Sequence, residues 1–170
     1  MLNIIAILSL FTAFAALISL IVIDLKHRLL PNILVLALSF CGIAFHLSTQ
    51  LYYDDPTDLF LGAIIGGGLL YVVRMAGNYY YKTDTLGLGD VKFMAACGLW
   101  LGSSHISGAL IIGAIAGLLH GAIMITYGRL KTGKMPALSS YSLPAGPGFA
   151  VGFFIMALAK FHTLAHVLSP

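Results

Sequence analysis

The chain has 170 residues, of which 59% are apolar and only 9% charged, and its mean hydropathy is +0.98. A soluble domain carries about 25% charged residues, so this composition excludes a water-facing globular surface. The net charge of +3 is small and falls mostly between apolar segments, which argues against a nucleic-acid-binding surface and for an integral membrane protein.

Six apolar segments predict membrane-spanning helices, each of which needs about 20 mostly apolar residues. In chain order they cover residues 2–23, 33–50, 59–73, 90–103, 106–127 and 143–161. The fourth segment is the shortest, and its helix has to begin near Asp90 to reach a useful length. The expected fold is therefore an all-α, polytopic bundle of about six transmembrane helices that forms one domain over residues 1–170.

Lys and Arg mark the loops that face the cytoplasm in membrane proteins. They occur here after the first span, around the connection between the third and fourth spans, and after the fifth, at Lys26, Arg28, Arg74, Lys82, Lys92, Arg129, Lys131 and Lys134. The opposite loops carry mainly acids, and Lys160 is the exception to the pattern. Both termini are thus predicted to face away from the cytoplasm, and Trp100 is expected in the aromatic belt at that far interface.

Two aspartates stand at the ends of predicted spans on the cytoplasmic side. Asp24 closes the first span and Asp90 opens the fourth, so the topology brings both to one face. Two carboxyl groups at the edge of a low-dielectric region do not both ionise readily, so one keeps a proton while the other is charged. Such a pair can activate a water molecule and protonate a peptide carbonyl and leaving nitrogen.

The residues around the aspartates suit this placement. Gly87 and Gly89 permit a tight turn and a close backbone approach before Asp90, whose charged form is favoured in the first turn of a helix. Pro31 suits the first turn of the second span.

Each aspartate alone also has an ordinary structural interpretation. Asp24 could pair with Lys26 or Arg28 at the membrane interface, and Asp90 could cap its helix with Lys92 as its ion partner. The two motifs together, on one face, favour a functional pair.

At these motifs the chain resembles the type IV prepilin peptidase family of membrane aspartyl proteases. The first match is an Asp-x6-Pro-Asn stretch that runs from Asp24 to Pro31 and Asn32, and the second is the Gly-x-Gly-Asp-x-Lys stretch of residues 87–92. Residues 93–102 continue the likeness, residues 143–149 resemble a further Pro- and Gly-rich family segment, and Asp84 stands where the family usually has an acid.

The resemblance implies an endopeptidase that removes the short basic leader of type IV prepilins or pseudopilins at the cytoplasmic face of the bacterial inner membrane. It implies Asp24 and Asp90 as the catalytic residues, with no metal and no cofactor. It further implies substrate-binding or site-shaping roles for Gly87, Gly89, Lys92, Asp84, Pro31 and Asn32. The expected partners are prepilin or pseudopilin substrates and membrane lipid, without nucleic acid, and the oligomeric state stays open.

Cys41 and Cys97 do not form the paired CxxC motifs that longer family members carry. The chain therefore resembles the short members that serve tight-adherence pili, and N-methyltransferase activity is left open.

Two other functions stay open from the sequence. A small proton-coupled transporter would use intramembrane acids near mid-span and show pseudo-repeat symmetry, whereas these acids lie at span ends. Another intramembrane GxGD protease, of the presenilin or signal-peptide-peptidase kind, would have Tyr-Asp at the first site, where this chain has Ile23 and Asp24.

Overall fold

The computed structural model describes residues 2–132 and 145–164. Every regular element in these two stretches is helical, which confirms the predicted all-α class. The helices are α1 (Leu2–His27), α2 (Asn32–Ser48), α3 (Pro56–Tyr81), α4 (Leu88–Thr132) and α5 (Gly146–Lys160). Lys134 and the first two residues of the sixth predicted span, Leu143 and Pro144, lie outside the described residues.

The fourth and fifth predicted spans belong to one interrupted helix. Gly102 has φ 67° and ψ 178°, so α4 consists of two helical segments, residues 88–101 and 103–132, that meet at this residue. By length and apolar composition, α1, α3 and α4 can each cross a membrane, while α2 and α5 are shorter apolar helices. The described residues thus contain six helical segments in succession, which is consistent with the predicted bundle, and the protein is a membrane protein.

The core lies mainly between α1, α2, α4 and α5, and Trp100 is among its largest buried side chains. This side chain is 2% exposed, and its Nε1 donates a hydrogen bond of 2.9 Å to the carbonyl oxygen of Leu38. Phe45 stacks on the indole with ring centroids 5.3 Å apart. The prediction that Trp100 lies in an interfacial aromatic belt is therefore wrong, because the ring is a packing centre whose polar atom is satisfied inside the bundle.

Helices α3 and α4 approach closely through glycines. A Cβ on Gly62 would lie 2.6 Å from the carbonyl oxygen of Gly98, and one on Gly67 would lie 2.9 Å from the Cβ of Ala95. Small residues allow this backbone approach, which is the usual way that helices associate in membranes. The close packing holds the first segment of α4 firmly against α3.

The break in α4 has its own capping group. At Gly102 the ladder of helical hydrogen bonds is interrupted, so the second segment begins with unpaired backbone N–H groups. Asp58, in the first turn of α3, accepts hydrogen bonds from the backbone N–H (3.3 Å) and the hydroxyl of Ser103. Asp58 therefore acts as an N-cap supplied by a neighbouring helix.

A buried ion pair stabilises the same end of the bundle. Lys160, the last residue of α5, pairs with Asp54, and their side chains are only 4% and 7% exposed. The Lys160 ammonium also donates to the carbonyl oxygen of Trp100 at 3.1 Å, and His46 Nε2 lies 3.1 Å from the same oxygen. The lysine that departed from the charge pattern is thus paired inside the protein.

Replacing Lys160 by Met should leave the Asp54 carboxylate buried without its counter-ion. Removal of one partner of a buried pair costs about 3–5 kcal/mol. We expect a clearly lower melting temperature for the detergent-purified variant. Lys131→Met, which removes an exposed lysine at the end of α4, is the matched control. Equal melting temperatures for the two variants would show that the pair does not stabilise the fold.

Candidate active site

Asp24 lies near the end of α1 and is 5% exposed. Its Oδ2 accepts a hydrogen bond of 3.1 Å from the backbone N–H of Gly146, the first residue of α5. The N-terminus of a helix carries a partial positive charge and free amide donors, so it stabilises a carboxylate there. A Cβ on Gly146 would lie 2.6 Å from this oxygen, so a larger residue here would displace the carboxyl group.

Asp90 occupies the first turn of α4 and is 8% exposed. The backbone N–H of Gly87 faces its carboxyl group. A Cβ on Gly87 would lie 2.9 Å from Asp90 Oδ2, so a larger residue here would displace this carboxyl group. Both buried carboxyl groups are thus held at the beginning of a helix.

The structure brings Asp24 and Asp90 to the same end of the bundle. Helix α1 ends there and α4 begins there, and the two carboxyl groups lie within electrostatic reach of each other. In residues 2–132 and 145–164, no three His, Cys, Asp or Glu side chains converge as a metal site would require. The cluster is therefore a pair of buried carboxyl groups, which can act together as a general acid and a general base.

The two sequence motifs touch each other at two points beside this pair. A Cβ on Gly89 would lie 2.9 Å from the Cβ of Leu30, so this glycine packs against the loop between α1 and α2. Pro31 precedes α2 in an extended conformation, and the first residue of that helix, Asn32, accepts a hydrogen bond of 3.2 Å from Lys92. The spacing of residues within each motif therefore places them where they contact the other motif.

Asp84 lies in the connection between α3 and α4, where its side chain is 78% exposed. Its Oδ1 accepts from Arg74 Nη2 at 2.6 Å and from Asn78 Nδ2 at 2.9 Å. Sequence reasoning placed Arg74 beside this connection only as a basic residue that marks topology, and it did not single out Asn78. Their spacing of one helical turn, which places both side chains on one face of α3, is the signal that could have found them.

A groove of about 420 Å³ borders the contact between the motifs. It lies between α2, α3 and the first segment of α4, with Asn32 and Lys92 among its polar residues and Val35, Ala95 and Leu99 among its apolar ones. The groove therefore runs from the contact between the motifs along the first segment of α4, and neither Asp24 nor Asp90 lines it.

Comparison with known proteins agrees with this geometry. The model of the type IV leader peptidase family matches residues 11–125, well over half of the chain. The chain belongs to this family. The matched region contains both aspartates and both motifs, so the resemblance inferred from them is confirmed at the level of the family. It ends before α5, so Gly146 lies outside the matched residues.

Curated relatives carry the name prepilin leader peptidase/N-methyltransferase. The chain is 33% identical to the protein of Pectobacterium carotovorum subsp. carotovorum over 131 residues, which are 77% of this chain and 44% of the relative. It is 34% identical to the protein of Escherichia coli (strain K12) over 110 residues, 65% of this chain and 48% of the relative. It thus spans a little less than half of these relatives. No solved structure matches it.

Gly89→Ala should destabilise the protein, because the added methyl group meets the Cβ of Leu30, an atom that cannot move without the loop backbone. Overpacking of this kind costs about 1–3 kcal/mol. Gly68→Ala is the matched control, since a Cβ on this α3 glycine has no neighbour within 4 Å. Ala is favoured over Gly in a helix by about 0.5–1 kcal/mol, so the control should be at least as stable as wild type. Thermal unfolding in detergent measures both, and equal stabilities would contradict the proposed contact.

Proposed function

We propose that this chain is a membrane aspartyl endopeptidase that cleaves the leader peptide of type IV prepilins or pseudopilins. The observation that carries the proposal is the buried pair of Asp24 and Asp90, each with its carboxyl group held by a backbone amide. Membership of the type IV leader peptidase family and the names of the curated relatives support the substrate class. The proposal covers peptide cleavage alone and leaves N-methyl transfer aside.

In the proposed reaction the pair shares one proton and holds a water molecule. The ionised carboxylate takes a proton from the water as its oxygen attacks the scissile carbonyl carbon, and the protonated carboxyl group donates to the carbonyl oxygen. The tetrahedral gem-diol intermediate then collapses and the C–N bond breaks, while the carboxyl group that gained the water proton donates it to the leaving nitrogen. As the C=O bond re-forms, the carboxylate that had protonated the carbonyl oxygen takes that proton back. The pair returns to its starting protonation, with one proton between the two groups.

We place the site at the cytoplasmic face of the bacterial inner membrane. Lys26, Arg28, Lys82 and Lys92 all belong to the end of the bundle that holds Asp24 and Asp90. An excess of Lys and Arg is characteristic of cytoplasmic loops, which supports this orientation. A leader peptide that remains in the cytoplasm would then meet the carboxyl pair directly.

We assign the other motif residues to shaping the site and binding the leader. Gly87 and Gly89 leave space for Asp90 and for the loop between α1 and α2, and Pro31, Asn32 and Lys92 join the two motifs. Arg74 and Asn78 both donate to Oδ1 of Asp84. Its carboxylate is largely exposed and can therefore attract a basic leader.

The transporter alternative receives no support from the site. Proton relays place their acids near the middle of the membrane, whereas Asp24 closes one helix and Asp90 opens another. Family membership also favours a protease.

Asp24→Ala and Asp90→Ala should each reduce cleavage of a candidate prepilin by roughly 10²- to 10⁴-fold, because each removes a general acid or base. Cleavage is measured with detergent-purified protein by electrophoresis and mass spectrometry of the new N-terminus. Asp55→Ala is the matched control, because this exposed aspartate before α3 makes no side-chain capping hydrogen bond.

Thermal unfolding of all three variants separates loss of chemistry from loss of folding. If Asp24→Ala or Asp90→Ala cleaves at the wild-type rate, the aspartyl mechanism is wrong. If wild-type protein cleaves none of several prepilins, the assignment of substrate is wrong.

Asp84→Asn should raise the KM for a basic leader peptide by roughly two- to fivefold, the range expected for an exposed ion pair. The same substitution should leave the KM unchanged for a leader whose lysines and arginines are replaced by glutamine. Steady-state kinetics with the two peptides and the two enzymes give a complete double-mutant cycle. If Asp84→Asn raised the KM of both peptides equally, the proposed charge contact between Asp84 and the leader would be ruled out.

A further inference from the structure

The segment that leads into α4 is attached to the end of α3. Asn78 donates to Asp84 and accepts, on its Oδ1, hydrogen bonds from the backbone N–H (2.8 Å) and the hydroxyl (3.0 Å) of Thr85. Thr85 lies so close to α3 that a Cβ on Gly77 would overlap its hydroxyl. Residues 84 and 85 are therefore fixed to one face of α3 by side chains of that helix.

Arg74 extends this attachment to the peptide group beside the site. Its guanidinium binds the Asp84 carboxylate through Nη2 at 2.6 Å and donates through Nη1 to the carbonyl oxygen of Leu86. The Arg74 side chain is 15% exposed, although Asp84 is largely in solvent. The two contacts use the planar fork of the guanidinium, which fixes the direction of both acceptors.

The carbonyl of Leu86 and the N–H of Gly87 belong to a single peptide group. Because that group is planar, an arginine that fixes the direction of the carbonyl also fixes the direction of the amide. The amide in turn faces the Asp90 carboxyl group, and a Cβ on Gly87 would lie 2.9 Å from Asp90 Oδ2. A continuous path of contacts thus runs from Arg74 through one peptide group to the carboxyl group.

We infer that Arg74 is a positioning residue for Asp90, which it orients through the Leu86–Gly87 peptide group. The inference deepens the proposed peptidase function and rests on it for the kinetic effect. Arg74 does not touch the reacting atoms in this arrangement. It holds the amide that aims the Asp90 carboxyl group, and a small displacement of a catalytic group is enough to slow a reaction strongly.

A simpler role for Arg74 would be to supply positive charge to a cytoplasmic loop. Lys82 provides the control for that role, because it belongs to the same connection, carries the same charge and is exposed. Its ammonium lies 4.7 Å from the centre of the Tyr79 ring, away from the Leu86 carbonyl contact. Lys82→Gln therefore removes an equal charge and leaves the path to Asp90 intact.

The test compares wild type, Arg74→Gln, Arg74→Lys and Lys82→Gln in prepilin cleavage. Arg74→Gln should lower kcat by roughly 10- to 100-fold while KM changes less than twofold, because the carboxyl group is misdirected and the substrate contacts remain. Arg74→Lys should recover part of this loss, since an ammonium can still donate to the Leu86 carbonyl. Lys82→Gln should cleave as wild type does. An unchanged kcat in Arg74→Gln, or an equal loss in Lys82→Gln, would overturn the inference.

Amide hydrogen exchange provides a second readout that needs no substrate. Arg74→Gln should speed exchange at least tenfold in a peptide covering residues 83–89, while peptides from α1 and from the second segment of α4 stay at wild-type rates. Lys82→Gln should leave the exchange of residues 83–89 unchanged. If exchange of residues 83–89 does not change in Arg74→Gln, the inference is wrong. This conclusion holds even if wild type and all the variants fail to cleave the prepilin. Inactive wild type with faster exchange in Arg74→Gln would instead refute the proposed function and retain the orienting role.

Discussion

Two carboxyl groups buried at one end of an apolar bundle constrain the rest of the structure. An ionised carboxylate that loses water without gaining donors is strongly destabilised, so a buried one has to be hydrogen-bonded or neutral. In this protein Asp24 accepts a hydrogen bond from the first amide of α5, and Asp90 faces the amide of Gly87. Backbone amides at helix starts are suitable donors because they add no titratable side chain and lie at the positive end of the helix dipole. The starts of α4 and α5 are therefore fixed by the chemistry of the pair.

Helix α5 connects this end of the bundle to the opposite one. Its first residue binds Asp24, and its last, Lys160, binds Asp54 and the carbonyl of Trp100 beside the break in α4. Between them, Gly148 lies against the second segment of α4, where a Cβ would come within 2.7 Å of a backbone nitrogen. Fifteen residues of helix span about 22 Å, so α5 is a rigid connection between two polar clusters. The buried ion pair of Lys160 and Asp54 thus helps to hold the Gly146 amide that donates to Asp24.

The fold class and the convergence of the two aspartates could be predicted because both depend on local composition. Apolar segments give the helices, and the alternation of basic and acidic loops determines which ends share a face. The partners of individual polar groups could not be predicted this way. Lys160 looked like an exception to the charge pattern because its counter-ion is far away in sequence, and Trp100 resembled an interface residue because composition does not show what it packs against. Arg74 was read as a basic loop residue, because a bond to a main-chain carbonyl leaves no mark in the sequence.

The spacing within the Gly-x-Gly-Asp motif follows from the directions in which its residues point. Gly87 stands just before α4, where its amide approaches the Asp90 carboxyl group from outside the helix. Gly89 is already helical and faces Leu30, so it sets the distance between α4 and the loop that follows α1. One residue later the helix has turned by about 100°, and Asp90 is directed towards the end of α1 that carries Asp24. A side chain at the first glycine would displace the carboxyl group itself, whereas one at the second would push the two aspartate-bearing elements apart. The two glycines of the motif therefore serve two different contacts: Gly87 leaves space for the Asp90 carboxyl group, and Gly89 leaves space for Leu30 in the loop that follows Asp24.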